Sequence, residues 1–364
     1  MRIGIVCYWF NRGQAVVGRQ VRAALDELGH ETFILARPTT ETFVKPGFVD
    51  GSDVWDQDGV TAASAYKVPP AEYLDWARGL RLDVAFFDQN LQFDEIAALR
   101  ATGVRTIGRF VWESFGPDDV AGARRAFDIV YSMTACERRR YRGFGIDTPR
   151  VHWCPPPELA EVPRPVRDDD EIRFLYPGGY LSDRKPTAET IDAFVGVPDP
   201  RARLIIKVQD QVKGPQLAAE AAERDPRIRV IVGDLPTPEH HALLASVDAY
   251  VAPSRWEGLG LHLYEAPALG LPTITNDFPP MNEMVTHDAD GLLVPARWDT
   301  ERRPGVPRLE VEPADLREAM TRMCDDDVRA RLAAGAAARG RTFDWSRTVR
   351  DYADLLRRAQ VPAP

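Results

Sequence analysis

The sequence predicts an α/β protein made of two doubly wound, Rossmann-like domains. Three observations lead to this prediction. Short β-rich apolar runs alternate with helical segments, glycine-containing loops follow the first run of each half, and a proline-rich acidic stretch separates the halves. Because 364 residues suffice for two domains of ordinary size, we expect a first domain at 1–156, a linker at 157–171 and a second domain at 172–343.

The composition argues against several classes of function. A formal net charge of −9 disfavours binding to nucleic acid and strong general attraction to anionic membranes. No apolar run is long enough to span a bilayer, and the chain opens directly on a predicted strand, so we expect neither stable membrane insertion nor a signal peptide. The four cysteines lack disulfide or metal-ligand spacing, which is typical of the reducing cytoplasm, where we expect the protein to work.

In the first half, predicted strands and helices alternate from the first residues onward. The strand Arg2–Tyr8 is followed by a loop that contains Gly13, where a phosphate or an acceptor group could approach, although many such loops bind nothing. The polar stretch 39–67 predicts a loop or a small β excursion. The other segments predict helices at 15–28, 73–80 and 93–101, and strands at 29–36, 83–87, 105–111 and 128–131.

A tryptophan and a glutamate directly follow the strand predicted at 105–111. The carboxyl ends of parallel strands form the usual ligand-binding edge of such a sheet. Trp112 can stack on a sugar ring and Glu113 can accept hydrogen bonds from its hydroxyls, so both are candidates for an acceptor or donor-sugar pocket. The alternative is that both lie at the rim and contact no ligand.

The second half opens with a strand, a turn that contains Gly179, and a helix. Strands at 203–208 and 228–232 follow, and Lys207 near the end of the first of them lies either in the ligand crevice or only at its rim. The acidic run RDDDE in the linker could be mistaken for a metal-binding motif. No predicted strand edge places it in a site, so we expect no metal ion.

The most informative stretch is 247–276. Its pattern predicts a buried strand, a glycine-containing loop at 253–260, a helix at 261–269 and a second buried strand. Gly258 and Gly260 let the backbone come close to a ligand, and the unpaired N–H groups at the start of a helix favour phosphate.

Two carboxylates bracket this stretch, Glu257 in the loop and Glu265 in the helix. Their spacing turns them to different parts of a long ligand. Because a carboxylate accepts hydrogen bonds from neighbouring hydroxyls, a sugar and a ribose at the two ends of a diphosphate would suit the pair. The alternative is an ordinary βαβ unit with two solvated glutamates.

The segment PSRWEGLGLHLYEAPALGLPTI resembles the E-x7-E region of family-4 retaining glycosyltransferases with the GT-B fold. The usual form in that family reads PSxxEGFGLxxLEAxAxGxPV. The resemblance implies that Glu257 contacts the donor sugar and Glu265 the ribose of the nucleotide. It also implies that the backbone amides of Leu259, Gly260 and Leu261 bind the sugar and the diphosphate.

A second segment, YPGGYLSDRKP, resembles the GRxxxxKG segment of the same family, with Lys185 at the lysine position. In that family the arginine and the lysine clamp the diphosphate and stabilise the charge that develops on it. This chain has Tyr180 where the arginine is expected. Either Arg184 takes over its role, or Tyr180 donates a neutral hydrogen bond, or the clamp is weakened.

Weaker resemblances extend over most of the chain. The loop with Gly13 lies at the corresponding distance ahead of GHE, as in the amino-terminal glycine loop of the family. The segment 344–360 is similar to the closing helix of the family, which returns to the first domain. The resemblance therefore implies a GT-B protein whose two parallel sheets face each other across a cleft, with the acceptor held by the first domain and the nucleotide sugar by the second.

The implied reaction moves a sugar from a nucleotide-sugar donor to an acceptor hydroxyl with retention of configuration. It proceeds by front-face displacement and needs neither a metal nor another cofactor. The acceptor is a small molecule, an oligosaccharide or a lipid-linked molecule; nucleotide, sugar and acceptor stay open. The alternatives are a catalytically impaired sugar-nucleotide-binding partner protein, suggested by Tyr180, and a GT-B nucleotide-sugar epimerase, against which the E-x7-E pattern argues.

Overall fold

The computed structural model describes residues 1–40 and 47–360, so part of the polar stretch 39–67 lies outside the described residues. The chain divides into two compact units. The first unit is Met1–Trp153 together with the C-terminal segment from Trp345, and the second is Cys154–Asp344. Each unit contains a six-stranded sheet whose assigned strand pairs are parallel. The predicted fold class of two Rossmann-like domains is confirmed.

The sheet of the first unit has the strand order β3-β2-β1-β4-β5-β6. Its central strands are apolar runs buried on both faces, as parallel strands covered by helices require. The strands are β1 Arg2–Tyr8, β2 Glu31–Arg37, β3 Val60–Ala62, β4 Val84–Asp88, β5 Arg105–Arg109 and β6 Ile129–Tyr131. The helices numbered before the second unit begins are α1 Gly13–Glu27, α2 Pro70–Leu80, α3 Phe93–Ala101, α4 Val120–Ala126 and α5 Ala135–Gly143.

The C-terminal helix Trp345–Gln360, α13 in chain order, belongs to the first unit. It is amphipathic, and its apolar stripe buries Tyr352, whose ring contacts those of Phe86 and Tyr131 edge to face. The hydroxyl of Thr348 donates to the backbone carbonyl of His152 at 2.7 Å. These contacts fix α13 on the sheet of the first unit.

The sheet of the second unit has the strand order β12-β11-β10-β7-β8-β9. Its strands are β7 Ile172–Gly179, β8 Ala202–Val208, β9 Ile228–Val232, β10 Ala249–Val251, β11 Thr273–Asn276 and β12 Gly291–Val294. Its helices are α6 Thr187–Val195, α7 Gly214–Arg224, α8 Thr237–Ala245, α9 His262–Ala268, α10 Met281–Met284, α11 Pro313–Met323 and α12 Asp326–Gly340.

The strand order is the same in both units, and it positions the site. In each sheet the first strand lies beside the fourth, and in such sheets ligands bind at the carboxyl ends of these two strands, where the winding direction reverses. In the second unit β7 pairs with β10, with Phe174 opposite Ala249. The segments that follow these strands, 180–186 and 252–261, therefore leave the sheet side by side.

An antiparallel hairpin in the second unit was not predicted from the sequence. It consists of β13 Arg297–Arg303 and β14 Val306–Glu310, and every residue of β13 is exposed. Only its second strand contributes to the core, through Val306 and Leu309. The charged sequence of β13 lacks the apolar alternation by which a strand is usually recognised.

Across residues 1–40 and 47–360, no helix has both the length and the apolar composition needed to cross a bilayer.

Candidate functional site

Two segments meet at the carboxyl edge of the second sheet. The backbone N–H of Arg255 donates to the carbonyl of Arg184 at 2.8 Å, which joins the segment after β7 to the segment after β10. The next strand supports the second segment, because the Asn276 amide accepts from the Ser254 N–H at 2.9 Å and donates to its carbonyl at 3.0 Å. One backbone hydrogen bond and the side-chain amide of Asn276 thus fix the two segments in place.

Glu257 is the centre of the site. Its carboxylate is buried, with 5% of the residue exposed. The ammonium of Lys185 donates to Oε2 at 3.1 Å and to the Ser254 hydroxyl at 2.7 Å, and the guanidinium of Arg184 donates to Oε1 at 3.2 Å. The N–H of Gly258 is also directed at Oε1, at 3.2 Å. Three residues proposed as catalytic are therefore brought together.

The electrostatics of this cluster favour an anion. Burial would raise the pKa of Glu257, but the charges of Lys185 and Arg184 outweigh it and hold that pKa well below its usual range. Burial lowers the pKa of Lys185, and the ion pair with Glu257 offsets part of this shift. Two cations thus face one carboxylate, and both are side chains of the kind that bind phosphate.

The loop backbone beside Glu257 has unused donors. Gly260 has φ +72°, and a Cβ on it would lie 2.8 Å from Leu263 Cδ1 and 3.1 Å from Glu257 Cγ, so glycine allows the loop to fold against the carboxylate. Among the residues that the structure describes, the N–H groups of Leu259, Gly260 and Leu261 donate no hydrogen bond. Buried N–H groups normally have partners, so a ligand at this loop would satisfy them.

Glu265 lies on α9, the helix that directly follows the loop. Its carboxylate forms no hydrogen bond or ion pair within the described part of the chain, and burial raises its pKa to about 7. The hydroxyl of Tyr250, which feels the charge of Glu265, is also buried and without a partner there. An acceptor that has no protein partner is suited to ligand hydroxyls.

Arg255 was not among the predicted residues, although it holds the site together. Its guanidinium donates to the carbonyl of Asp183 at 2.9 Å and to Glu310 of the hairpin at 3.0 Å, and it also pairs with Glu189 on α6. The N–H of Leu309 in turn donates to the carbonyl of Arg255 at 2.9 Å. The unpredicted hairpin and the turn that carries Lys185 are therefore tied to one residue.

Three further donor-side residues lie near the ends of β7 and β8. Gly179 ends β7 with φ +56°, which permits the turn. Tyr180 follows it and is partly exposed; the second cation on Glu257 comes from Arg184. The ammonium of Lys207 donates to the carbonyl of Gly233 and, at 3.3 Å, to that of Val208, so it fixes the glycine turn after β9. A direct contact of Lys207 with the donor stays a prediction.

The other predicted residues belong to the first unit. Trp112 and Glu113 lie in a short 3-10 helix after β5 and are 3% and 1% exposed. Gly13 is the first residue of α1 and is exposed. The roles of these three residues stay predictions.

The first unit also holds a buried charge cluster that the sequence did not reveal. Arg109 at the end of β5 pairs with Asp88 at 3.0 Å and with Glu137 on α5 at 3.4 Å. The carboxylate of Glu137 also accepts from the backbone N–H of Met133 at 2.7 Å. These bonds fasten the start of α5 to the edge of the sheet.

Comparison with known proteins assigns the second unit. Residues 161–321, less than half of the chain, match the family model of glycosyl transferases group 1, and this segment includes both loops of the site. Sucrose-phosphate synthase from Thermosynechococcus elongatus superposes with a TM-score of 0.74 at 16% identity, covering 98% of both chains. The fold is that of the GT-B glycosyltransferases.

Two further similarities support this assignment of a GT-B glycosyltransferase domain. The lipopolysaccharide core biosynthesis mannosyltransferase LpsB of Rhizobium meliloti is 30% identical over 159 residues, 42% of this chain and 45% of that protein. The matched part thus spans less than half the length of this curated relative. The Anabaena protein HepE, solved in complex with UDP and glucose, superposes with a TM-score of 0.71 at 16% identity over 98% of this chain and 99% of that one. The predicted glycosyltransferase class is confirmed for the matched segment.

Proposed function

We propose that the protein is a family-4 retaining glycosyltransferase that moves a sugar from a nucleotide-sugar donor to an acceptor hydroxyl without a metal ion. The observation that carries this proposal is the cluster of Lys185, Arg184 and Glu257 inside the segment that matches the glycosyltransferase model. The cluster offers two cations, an acceptor for hydroxyls and unused backbone donors within one loop system. A nucleotide diphosphate sugar needs these three kinds of partner.

The donor diphosphate would bind to the two cations and to the loop amides. Lys185 and Arg184 now bind Glu257, so the diphosphate would draw them towards its own oxygens and leave Glu257 to accept hydrogen bonds from the sugar hydroxyls. Glu265 would accept from the ribose, because its carboxylate has no partner among the described residues.

The reaction would be a front-face displacement. The acceptor hydroxyl attacks the anomeric carbon on the face from which the diphosphate leaves, so the configuration is retained. One C–O bond to phosphate breaks, one C–O bond to the acceptor forms, and the hydroxyl proton passes to the departing phosphate oxygen. Lys185 and Arg184 would stabilise the negative charge on that leaving group, which is the largest contribution that the protein can make here.

The acceptor belongs to one of three classes: a small molecule, an oligosaccharide or a lipid-linked molecule. The Rhizobium relative is a mannosyltransferase of lipopolysaccharide core biosynthesis, which suggests a mannosyl donor and a sugar-rich acceptor for this chain as well. The Anabaena protein was solved with UDP and glucose, which suggests a glucosyl donor instead. Both sugars belong in the first donor panel.

The test is thermal stabilisation by UDP-, GDP-, ADP- and dTDP-sugars in the presence of EDTA. A ligand at a hundred times its Kd should add about 2.7 kcal/mol to the free energy of unfolding. We expect one donor to stabilise the wild type and to lose that effect in Lys185→Ala. With that donor, transfer to an acceptor should give a product whose anomeric coupling in NMR shows retention.

Three outcomes would contradict this proposal. If no nucleotide sugar stabilises the protein, the donor site is absent. If one binds but neither transfer nor hydrolysis is ever detected, the protein is a sugar-nucleotide-binding protein, and conversion of the donor sugar without an acceptor would identify an epimerase.

A further inference from the structure

His262 is a residue of the site to which no role has yet been given. It is the first residue of α9 and directly follows Leu261, the last of the loop residues with an unused N–H. Its ring is partly exposed, but its Nε2 atom is buried and has no hydrogen-bond partner among the described residues. An unsatisfied buried nitrogen destabilises the ligand-free protein, so packing alone gives no reason for a histidine here.

The charged neighbours of this ring are those of the candidate site, namely Lys185, Glu257 and Arg184. Burial, and then the charge of Lys185, lowers the pKa of His262 to about 3, so the ring is neutral at neutral pH. One ring nitrogen is then a donor and the other an acceptor.

The charged side chains of the cluster cannot do this. Lys185 and Arg184 only donate, and ionised Glu257 only accepts. A neutral imidazole adds no charge to the site. It therefore does not attract a charged ligand, but it can orient a ligand group through a hydrogen bond. The group best matched to it is an uncharged hydroxyl, which can donate and accept.

We propose that His262 is a specificity-determining residue whose Nε2 forms a hydrogen bond with one hydroxyl of the transferred sugar, beside Glu257. This inference rests on the proposed function, since it presupposes a nucleotide-sugar donor. A site that pairs with a particular hydroxyl rejects donors in which that hydroxyl is inverted or missing, because its own polar group is then left unsatisfied. His262 would therefore help to choose between epimeric sugars.

The experiment compares His262→Phe and His262→Gln with the wild type. Phenylalanine keeps a flat ring without nitrogen, and glutamine can place an amide nitrogen near the position of Nε2. Initial rates are measured with the preferred donor and with its monodeoxy and epimeric analogues. Binding of the nucleoside diphosphate alone is measured by calorimetry, and folding is checked by thermal unfolding.

We expect His262→Phe to lower kcat/KM for the preferred donor by about fivefold to tenfold, the loss expected for one neutral hydrogen bond. For the deoxy analogue that lacks the hydroxyl paired with His262, the same substitution should lower kcat/KM by less than about twofold. His262→Gln should recover most of the activity. Binding of the nucleoside diphosphate should stay unchanged in both variants.

The proposal is overturned if His262→Phe lowers kcat/KM equally for the parent donor and all its deoxy analogues, or if it weakens binding of the nucleoside diphosphate alone. The first result would mean that the ring only packs, and the second that it contacts phosphate. A wild-type protein that binds no nucleotide sugar would instead refute the proposed function, so the two failures are distinguishable.

Discussion

The two units have the same strand order, and each holds a buried charge cluster beside its parallel sheet. In the first unit, Arg109 is enclosed by two carboxylates, Asp88 and Glu137, and the three side chains are 1%, 7% and 0% exposed. In the second unit, one carboxylate faces two cations, and the side chain of Arg184 is 34% exposed. The first cluster has two carboxylates for one cation and is closed to solvent, whereas the second has two cations for one carboxylate and is partly open to solvent.

This difference separates a structural cluster from the candidate ligand-binding one. Burial raises the pKa of both Asp88 and Glu137, and Arg109 opposes these shifts, so its removal would leave two carboxyls buried without their cation. In the second unit two cations share one buried carboxylate, an arrangement that the proposed function would use to bind a diphosphate. A charge cluster at the carboxyl ends of the strands therefore favours stability in the first unit, whereas the one in the second unit is a candidate for anion binding.

The largest effect should come from Lys185→Ala. We expect kcat/KM to fall by about a thousandfold, because the variant lacks the main cation that would stabilise the leaving diphosphate. The measurement is the initial rate of sugar transfer with the donor found by stabilisation. Lys213→Ala, at an exposed lysine before α7, is the matched control and should change the rate by less than about twofold. Activity within tenfold of the wild type in Lys185→Ala would assign the leaving-group role elsewhere.

The corresponding change in the first unit should affect stability. Arg109→Met should lower the free energy of unfolding by about 3 kcal/mol, because it leaves two buried carboxyls without a cation. Denaturant unfolding followed by circular dichroism measures this loss. The exposed Arg125→Met is the control, and its pair with Asp94 should contribute less than about 1 kcal/mol. An Arg109 variant as stable as the wild type, yet unable to bind the donor, would give the first cluster a ligand-binding role as well.

Glu265 should impose a pH dependence on stability. Its folded pKa of about 7 lies above the ordinary glutamate value of 4.5, so the native state binds the proton more tightly than the unfolded chain does. The stabilisation that comes from this tighter proton binding is complete below about pH 4.5 and is lost as the pH rises through 7. We therefore compare the free energy of unfolding of Glu265→Gln with that of the wild type. The difference, variant minus wild type, should be about 2 kcal/mol larger at pH 8 than at pH 5.

Urea unfolding of both proteins at pH 5, 6, 7 and 8 measures this difference. Glu318→Gln, at an exposed position on α11, is the matched control for the substitution. A difference between Glu265→Gln and the wild type that stays constant across the range would mean that Glu265 is ionised throughout.

A smaller effect is expected from Arg255→Lys, which keeps the charge but loses the planar fork that reaches Asp183, Glu310 and Glu189 together. The turn that carries Lys185 should become less well positioned, and kcat should fall by about tenfold. Steady-state rates and thermal unfolding separate this from a general loss of folding. If the unfolding temperature falls while kcat of the folded enzyme is unchanged, Arg255 supports the fold alone.

The smallest effect should come from Tyr180→Arg, which restores the arginine expected at this position from the family pattern. Because Arg184 already supplies the second cation at Glu257, we expect kcat/KM to change by less than about threefold. Transfer assays test this expectation. A gain of a hundredfold would show that the natural clamp is weakened by Tyr180.

Local pattern predicted much of the fold. The first strand, Arg2–Tyr8, and the helix Phe93–Ala101 have the predicted bounds, because apolar runs and helical periodicity are properties of neighbouring residues. The hairpin Arg297–Glu310 escaped prediction, because its outer strand is charged and buries no face. Resemblance indicated Lys185 and Glu257 as site residues, but not that they pair in the absence of a ligand.

The remaining site residues depend on tertiary structure. Nothing in the sequence around Arg255 announces its three partners, which come from a turn, a helix and a hairpin. His262 lies inside the most informative motif, yet only burial of its Nε2 atom distinguishes it from an ordinary helix residue. Burial and hydrogen bonding of single side chains are decided by the packing of distant segments, so they cannot be obtained from local periodicity.

The position of α13 has a consequence for synthesis of the protein. The second unit is one continuous segment, whereas the first unit lacks Tyr352 and its ring contacts with Phe86 and Tyr131 until the last helix has been made. Domains fold as units while the chain leaves the ribosome, usually from the amino terminus onward. In this protein the order is reversed, because the first unit can be completed only after the whole second unit has been synthesised.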